Sequence, residues 1–563
     1  MRGSASQDDS TSSVAGLLLA RADDDHPGLR FEEEQWSWRQ VISASASRAS
    51  WIRSVAGRRP LHIGVLLGNL PEYVFWLGAA ALTGSVIVGI NATRRGEALA
   101  SDILRTDCQV VVTDAEGAHL LEGLDFGVAT DRVIRVDSER YARMLEPHEG
   151  ADPGELASVS APTPDDLFLL LFTSGTTGSP KAVRCTQGRL ASIAERSAEA
   201  YGFERDDVAY CTMPLFHGNA LMVLWGPALV VGATVALARR FSASGFVADV
   251  RRHGATTFTY VGKALAYVLA TPAAADDART TLRRGFGTEA SIADHEAFER
   301  RFGCVLTEGY GSSEGGVAIS RTAETPTGSL GRPVGDVAIV DPDTLEECPP
   351  AVFDAGGALA NGEAAIGEIV NRSGVGGFEG YYADEEATAA RTRHGWYWTG
   401  DLAYRDPAGF FYFAGRGGDW MRVDSENLTA GPVERVLVRF EDAAAVSVYP
   451  VADPSSGDQV MAALEMLPGR PFDPGRFSAF LSAQPDLGTK WVPSFVRIAA
   501  GLPQTASGKV TKEPLRAEGW WRGNDPVFRR RGATLAFAPM AARDRRELLA
   551  EFRRHGREEL VGA

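Results

Sequence analysis

Apolar residues fall along this chain in short unbroken runs, separated by polar or mixed segments of helical length. Between residues 61 and 114 the runs HIGVLL, SVIVGI and CQVVVTD recur with helix-length segments between them. Strands apolar on both faces need helices on both sides, so this pattern predicts β-α-β units of a doubly wound sheet. At 167–172 another such run, LFLLLF, ends abruptly in the tract TSGTTGSPK, which predicts a buried strand opening into a loop. Two uncharged stretches, 74–90 and 220–238, approach the length of a membrane span. Each breaks at a glycine, Gly84 or Gly232, with a helix-like half before it and a β-branched half after it. Buried helix-then-strand units are predicted for both. Residues 256–272 read as a strand followed by an amphipathic helix. Residues 342–362, acidic and Gly-rich, read as a surface loop. Aromatic strands flank an Asp-Pro-Ala-Gly turn at 406–409, which predicts a small β-structure. Beyond Asp419 the runs AAAVSVYPVAD and QVMAALEML predict strands and PGRFSAFLSAQ a helix, together a compact α+β unit; the tail 526–563 reads as helical.

A chain of 563 residues is too long for one ordinary domain. Its formal charge of -16 argues against nucleic acid as a partner, since neutralising phosphates needs a basic face. Cys108, Cys185, Cys211, Cys304 and Cys348 stand singly, without the spacing of a zinc site or a disulfide framework, which fits a reducing cytosol. The polar, acidic N-terminus carries no signal-peptide pattern. Only five of the 57 basic residues are lysines: Lys181, Lys263, Lys490, Lys509 and Lys512. Where arginine is the general cation, a retained compact ammonium draws interest.

The tract after the strand brings together Thr173, Ser174, Thr176 and Thr177 as hydroxyl donors, Gly175 and Gly178 as residues tolerant of positive φ, and Lys181 as a charge. Such a loop is either a solvated turn or an anion cradle suited to a polyphosphate. A Walker loop is excluded, because Pro180 stands where its last Gly belongs and Ala182 where its hydroxyl belongs. The tract resembles the phosphate loop of the adenylate-forming superfamily, which includes acyl-CoA synthetases, adenylation domains and luciferases. Further segments follow in that superfamily's order. NLPEYVFWLGAAALTG and VGINATRRGEALASDIL resemble the framework of the very-long-chain, or fatty-acid-transport-type, acyl-CoA synthetases. MPLFHGNAL at 213–221 is similar to the segment whose His or aromatic stands at the acyl-pocket entrance, which makes His217 the candidate gate; a satisfied structural histidine is the alternative.

RRGFGTEAS at 283–291 resembles the segment against which adenine lies, with Gly287 and Thr288 at the nucleotide. TEGYGSSEGG at 307–316 contains GxG but lacks the third Gly of a dinucleotide fingerprint. The resemblance implies that Tyr310 stacks on adenine, that Ser313 touches the α-phosphate with Gly311 and Ser312 also at the nucleotide, and that Glu314 holds Mg²⁺, a hard ion suited to carboxylate and phosphate oxygens. It further implies that Asp401 accepts hydrogen bonds from the ribose hydroxyls with help from Arg416, and that Thr173, His217 and Glu314 belong to the catalytic set.

After Arg416 the family changes domain. The resemblance implies an α/β N-terminal domain over 1–416, with doubly wound sheets and a small β-structure, a hinge at 417–418, and a smaller mobile α+β domain over 419–563. Gly418 is the hinge residue; the wider family puts a charged residue there, and the transport-type subgroup also shows Gly. Lys509, within PQTASGKVTKEPLR, is the implied catalytic lysine that bridges the carboxylate and α-phosphate during adenylation. One departure stands out: Ser425 occupies a position where the subgroup has a Gly lining the CoA channel, which brings the thioester-forming step into question. The expected function is ATP- and Mg²⁺-dependent activation of a fatty or sterol side-chain acid to acyl-AMP, followed by transfer to CoA. A ligase delivering to a carrier-protein thiol, or a membrane-associated fatty-acid uptake protein, are the alternatives. The expected setting is the cytoplasm, with peripheral membrane contact through the Arg-rich tail as an option. The sequence does not set the oligomeric state.

Overall fold

The computed structural model describes residues 12–57, 60–173, 180–288, 290, 292–322, 324–326, 328–353, 361–416, 420–423, 426–467, 469–484, 487–488, 490–503, 512–532 and 535–561. Two large sheets dominate the first 320 residues. In the six-stranded sheet, Val133–Arg135, Val110–Thr113, His62–Leu66, Val86–Gly89 and Leu167–Thr173 run parallel in that spatial order, and Lys181–Thr186 closes the edge antiparallel. In the seven-stranded sheet, Val305–Glu308, Arg284–Thr288, Thr257–Val261, Val208–Cys211, Thr234–Leu237 and Pro27–Phe31 run parallel, and Glu34–Ser37 adds a hairpin partner. The apolar runs read from the sequence are these strands. Ile63, Val65, Val110, Val112, Phe168 and Leu169 are wholly buried, because helices cover both faces. One core joins Ile63, Leu169 and Leu171 of the first sheet to Ala209, Val235 and Leu237 of the second.

The two uncharged stretches are helix-then-strand units. Pro71–Thr83, with Pro at its first position, stops at Gly84 and gives way to Val86–Gly89. Among the described residues no helix is long and apolar enough to cross a membrane. The second unit departs from a regular helix: Leu221–Trp225 is a π-helical turn that precedes Gly226–Val231 and the strand Thr234–Leu237. Two neighbouring residues account for the widening. Pro227 lacks the N–H that would close an ordinary turn on Val223. Gly226 lies so close to the Gln187–Ala200 helix that a Cβ there would come within 2.8 Å of the Ala194 Cβ.

Buried polar contacts tie these helices together. Gln187, fully buried, accepts from the Ala15 N–H at 2.9 Å and donates to the Ala81 carbonyl at 2.9 Å. It thereby joins the short N-terminal helix Val14–Leu19, the Pro71–Thr83 helix and the Gln187–Ala200 helix.

Val337–Val340, Gly367–Asn371, Tyr397–Arg405 and Phe411–Arg416 form a four-stranded antiparallel sheet, with the Asp406–Gly409 turn closing its last hairpin. Beyond it, Trp420–Val423 pairs with Glu426–Thr429. A five-stranded sheet follows with its own cores on either face, around Val448, Leu464 and Phe477 on one side and Tyr449, Phe495 and Trp520 on the other. The predicted strands and helix are present as Ala443–Ala452, Asp458–Met466 and Pro474–Ser482.

The tail corrects the sequence reading. Val527–Arg530 and Phe537–Pro539 are strands that complete the five-stranded sheet, and only Ala542–Arg554 is an extended helix. Val527–Arg530 is half arginine and Phe537–Pro539 only three residues long, so neither gave an apolar run to read; their pairing supplies what periodicity did not. Leu548 and Phe552 of that helix are buried in the C-terminal core, and His555 after it lies 3.0 Å from Asp294 of the large lobe.

The helices Trp38–Val55 and Pro71–Thr83 pack with Gly78 against Ser45, where an added Cβ would lie 2.7 Å from the Ser45 Cβ. Gly78→Ala is therefore expected to lower the unfolding free energy by about 1–3 kcal/mol through overpacking, measured by urea denaturation. A neutral or stabilising outcome would contradict this packing.

Candidate functional site

A cleft of about 1010 Å³ lies where both large sheets end and the four-stranded sheet begins. Thr173 enters it from the end of its strand. Gly287 and Thr288 enter from the end of Arg284–Thr288, and Tyr310, Gly311, Ser312, Ser313 and Glu314 from the loop after Val305–Glu308. Asp401 reaches it from Tyr397–Arg405, and His217 from the turn that caps the π-helical segment. Sites at the carboxyl ends of parallel strands are the geometric norm for doubly wound sheets.

Glu314 is only 7% exposed. Its Oε1 accepts from the Thr173 hydroxyl at 3.2 Å and from the Tyr381 hydroxyl at 3.1 Å. Among the described residues Oε2 receives no hydrogen bond. Burial, reinforced by the Glu314 charge, pushes the Tyr381 and Tyr397 phenols up, so both stay protonated donors. Burial works against the Arg391 charge, but Tyr381, Tyr397 and Glu314 outweigh it and hold the guanidinium protonated. The Lys181 ammonium stands 5.2 Å over the Tyr381 ring, and burial pulls its pKa down against the attraction of Asp384 and Glu314.

Asp401 is 8% exposed and accepts from the Tyr310 hydroxyl at 2.7 Å. Its own N–H donates to the Thr399 hydroxyl at 3.0 Å, and its backbone lies in register with that of Arg416. Arg391 connects the two carboxylate regions. It donates to the Trp398 carbonyl at 3.1 Å, and its guanidinium lies under Gly400, where a Cβ would come within 2.6 Å. Gly400 has φ +75°, so glycine is required there on both counts. Arg189 plays a parallel part on the other side, donating to the Arg184 carbonyl at 2.6 Å and the Ser313 carbonyl at 2.5 Å. It packs against Gly315, φ +68°, where a Cβ would lie 2.7 Å from its Nη2.

Of the residues singled out from sequence, Thr173, His217, Gly287, Thr288, Tyr310, Gly311, Ser312, Ser313, Glu314 and Asp401 line this one cleft. Lys181 flanks it through Tyr381. Ser174, Gly175, Thr176, Thr177, Gly178, Gly418, Ser425 and Lys509 lie outside the described residues. Sequence reasoning missed Arg189, Tyr381, Arg391 and Tyr397. The two tyrosines sit in the segments GYY at 380–382 and WYWTGD at 396–401, but nothing in them separates a tyrosine facing Glu314 from a core aromatic. Two C-terminal residues close one side of the cleft: Arg422 and Trp491 line it, and the Arg94 guanidinium lies 5.3 Å from the Trp491 ring.

The arrangement offers two carboxylates, a set of hydroxyl donors and buried cations at one end, and an apolar arm at the other. It can hold a polar, phosphate-bearing molecule against an apolar one. Comparison with known proteins agrees with this. Residues 19–382 match the model of the AMP-binding enzyme family. The chain is 52% identical over 550 residues to steroid-22-oyl-CoA synthetase of Rhodococcus jostii, covering 97% of this chain and 98% of that protein. It is 49% identical over 507 residues to the medium/long-chain-fatty-acid–CoA ligase FadD17 of Mycobacterium tuberculosis, covering 90% and 96%. The fold also matches a solved structure of o-succinylbenzoate CoA synthetase from Bacillus subtilis, bound with a product analogue, at a TM-score of 0.71 and 24% identity over 89% of this chain and 97% of that one. With the expected segments gathered on one cleft and nearly two thirds of its length under the family model, this chain belongs to the AMP-binding enzyme family.

Proposed function

We propose that this enzyme activates a fatty or sterol side-chain acid with ATP to the acyl-adenylate and transfers the acyl group to CoA, giving acyl-CoA, AMP and pyrophosphate. The observation that carries the reading is the pairing of two buried carboxylate stations, Glu314 and Asp401, with an apolar arm in the same cleft. That arm runs past Met213, Phe216, Met222, Val223, Ile193 and Phe286. The likeness to the steroid-22-oyl-CoA synthetase supports a large apolar acid.

In this reading ATP lies with its ribose on Asp401, a strong acceptor for a diol, and its adenine against Tyr310 and the Gly287–Thr288 backbone. Arg416 assists at the ribose, and Thr173, the 174–178 tract, Lys181, Ser312 and Ser313 surround the phosphates. The donor set fits Mg²⁺: one carboxylate with Oε2 left to the cleft, beside hydroxyls and nucleotide phosphates, matches an ion that takes one or two carboxylates plus substrate phosphates. When bound there, the ion neutralises phosphate charge. The acid needs no general base, because its carboxylate oxygen is already anionic. That oxygen attacks the α-phosphorus, the bond to the bridging oxygen breaks, and pyrophosphate leaves with the electron pair. CoA thiolate then attacks the acyl carbonyl and AMP leaves. His217, beside Phe216 with ring centroids 4.8 Å apart, stands as the gate between the nucleotide and acyl arms.

The proposed division is a lobe of 1–416, a hinge at 417–418 around Gly418, and a mobile lobe of 419–563. Arg422 and Trp491 on the cleft wall support contact between the two lobes. Rotation about the hinge exchanges Lys509 for the CoA-facing segment that holds Ser425. The cytoplasm, as the compartment of ATP and CoA, is the proposed setting. Any lipid contact by the Ala542–Arg554 helix falls to its charged face, since Leu548 and Phe552 are buried.

Pyrophosphate release that depends on an organic acid, with free CoA as acceptor, tests the function; product formed only on a holo carrier protein would favour delivery to that protein. Glu314→Gln keeps the shape and removes the charge, and is expected to cut pyrophosphate release about a hundredfold or more and to raise the Mg²⁺ concentration needed. An unchanged rate and Mg²⁺ dependence would contradict the assignment. Lys509→Ala is expected to abolish ATP–pyrophosphate exchange while sparing thioester formation from supplied acyl-adenylate; loss of both together would contradict a lysine confined to the first half-reaction.

A further inference from the structure

The acyl arm is not apolar throughout. One face of the Gln187–Ala200 helix, carrying Arg189, Ser192, Ile193 and Arg196 at positions i, i+3, i+4 and i+7, lines the cleft. Arg189 is committed to the Arg184 and Ser313 carbonyls, next to the nucleotide loop. Arg196 stands two turns further on, about 10 Å along the helix axis from Arg189. It is exposed, and its one hydrogen bond among the described residues is from Nη1 to the Ser192 hydroxyl at 2.6 Å. No carboxylate among the described residues pairs with it. Tyr201, just past the helix, is half-buried with its ring stacked on Phe286 at 4.3 Å. Its hydroxyl lies 3.5 Å from where a Gly309 Cβ would sit and has no hydrogen-bond partner among the described residues. Two donors thus border an arm walled mainly by apolar side chains, with Arg196 further along the helix than Arg189, which bonds the Ser313 carbonyl beside Glu314.

A hydrocarbon occupant would cover these donors without satisfying them, which is unfavourable, whereas an occupant with an acceptor beside them would use them. We propose that Arg196 and Tyr201 read a carbonyl or hydroxyl oxygen at the end of the acid remote from its carboxyl, so that the preferred substrates are apolar acids oxygenated at their far end. Arg196 supplies a charge-assisted donor and Tyr201 a neutral one, and both lie clear of the reacting atoms. They are specificity residues rather than catalytic ones. A site built to hydrogen-bond a substrate oxygen discriminates against the analogue lacking it more sharply than an apolar wall separates two hydrocarbons. This inference rests on the acyl-CoA ligase reading above and narrows its substrate class.

Matched pairs test it: a 3-oxo steroid side-chain acid against its 3-deoxy counterpart, and 16-hydroxyhexadecanoate against hexadecanoate, each followed by pyrophosphate release and CoA-thioester formation. The native enzyme is expected to favour the oxygenated member of at least one pair by roughly 10- to 100-fold in kcat/KM, mostly through KM. Arg196→Leu and Tyr201→Phe are each expected to bring that ratio toward one by raising KM for the oxygenated acid. Arg196→Lys, which keeps the cation, retains part of the preference. Equal handling of both members by the native enzyme overturns the inference. So do variants that slow both members alike, the signature of a wall residue. If neither acid of either pair releases pyrophosphate, the ligase reading itself falls, and this inference with it.

Discussion

The buried negative charge of Glu314 is the constraint around which the nucleotide end of the cleft is built. A carboxylate 7% exposed needs compensation from its surroundings. It receives two hydroxyl donors, from Thr173 and Tyr381, and a guanidinium, Arg391, held protonated within the same cluster. Burial, with the Glu314 charge, keeps both nearby phenols from ionising, so they remain neutral members of the cluster. These groups come from five separate stretches of chain: the end of Leu167–Thr173, the loop after Val305–Glu308, the segment around Tyr381, the Glu385–Arg391 helix and the strand Tyr397–Arg405. Charge balance at one residue therefore draws the first sheet, the second sheet and the small antiparallel sheet onto a common point.

Two arginines convert that balance into shape. Arg189 and Arg391 each lie beneath a glycine with positive φ, Gly315 and Gly400, and each donates to one backbone carbonyl of the segment above it, Ser313 and Trp398; Arg189 also holds the Arg184 carbonyl. A guanidinium fork can fix two carbonyls at once where an ammonium cannot. The turns bearing Glu314 and Asp401 are thus set by buried side chains and not by the turn sequences alone. Preorganised charge of this kind is what phosphoryl chemistry asks of a protein, since positioning and electrostatic stabilisation carry most of the work.

How far the sequence could be read depended on whether the signal was local. The buried strands were legible because parallel strands covered on both faces must be apolar throughout, as 63–66 and 167–172 are. The helix-strand breaks at Gly84 and Gly232 were legible because composition changes on either side of each. The strands Val527–Arg530 and Phe537–Pro539 were not: one is half arginine and the other three residues long, so neither carries an apolar period, and the first pairs with Phe495–Ala499, some thirty residues earlier. The π-helical turn at Leu221–Trp225 followed from Pro227 and from Gly226 meeting Ala194, a contact no local window contains. At the site, the ordered motifs placed ten of the expected residues on one cleft. The supporting shell of Arg189, Tyr381, Arg391 and Tyr397 escaped notice because its members act through distant partners.

The central claim is that the carboxylate oxygen of the acid becomes bonded to the α-phosphorus of ATP in this cleft. Running the reaction with an acid whose carboxylate carries ¹⁸O at both oxygens, with CoA present, tests it most directly. The account predicts that one ¹⁸O from each acid consumed appears in AMP and none in pyrophosphate. Label in pyrophosphate or orthophosphate, or AMP formed without label, would contradict it.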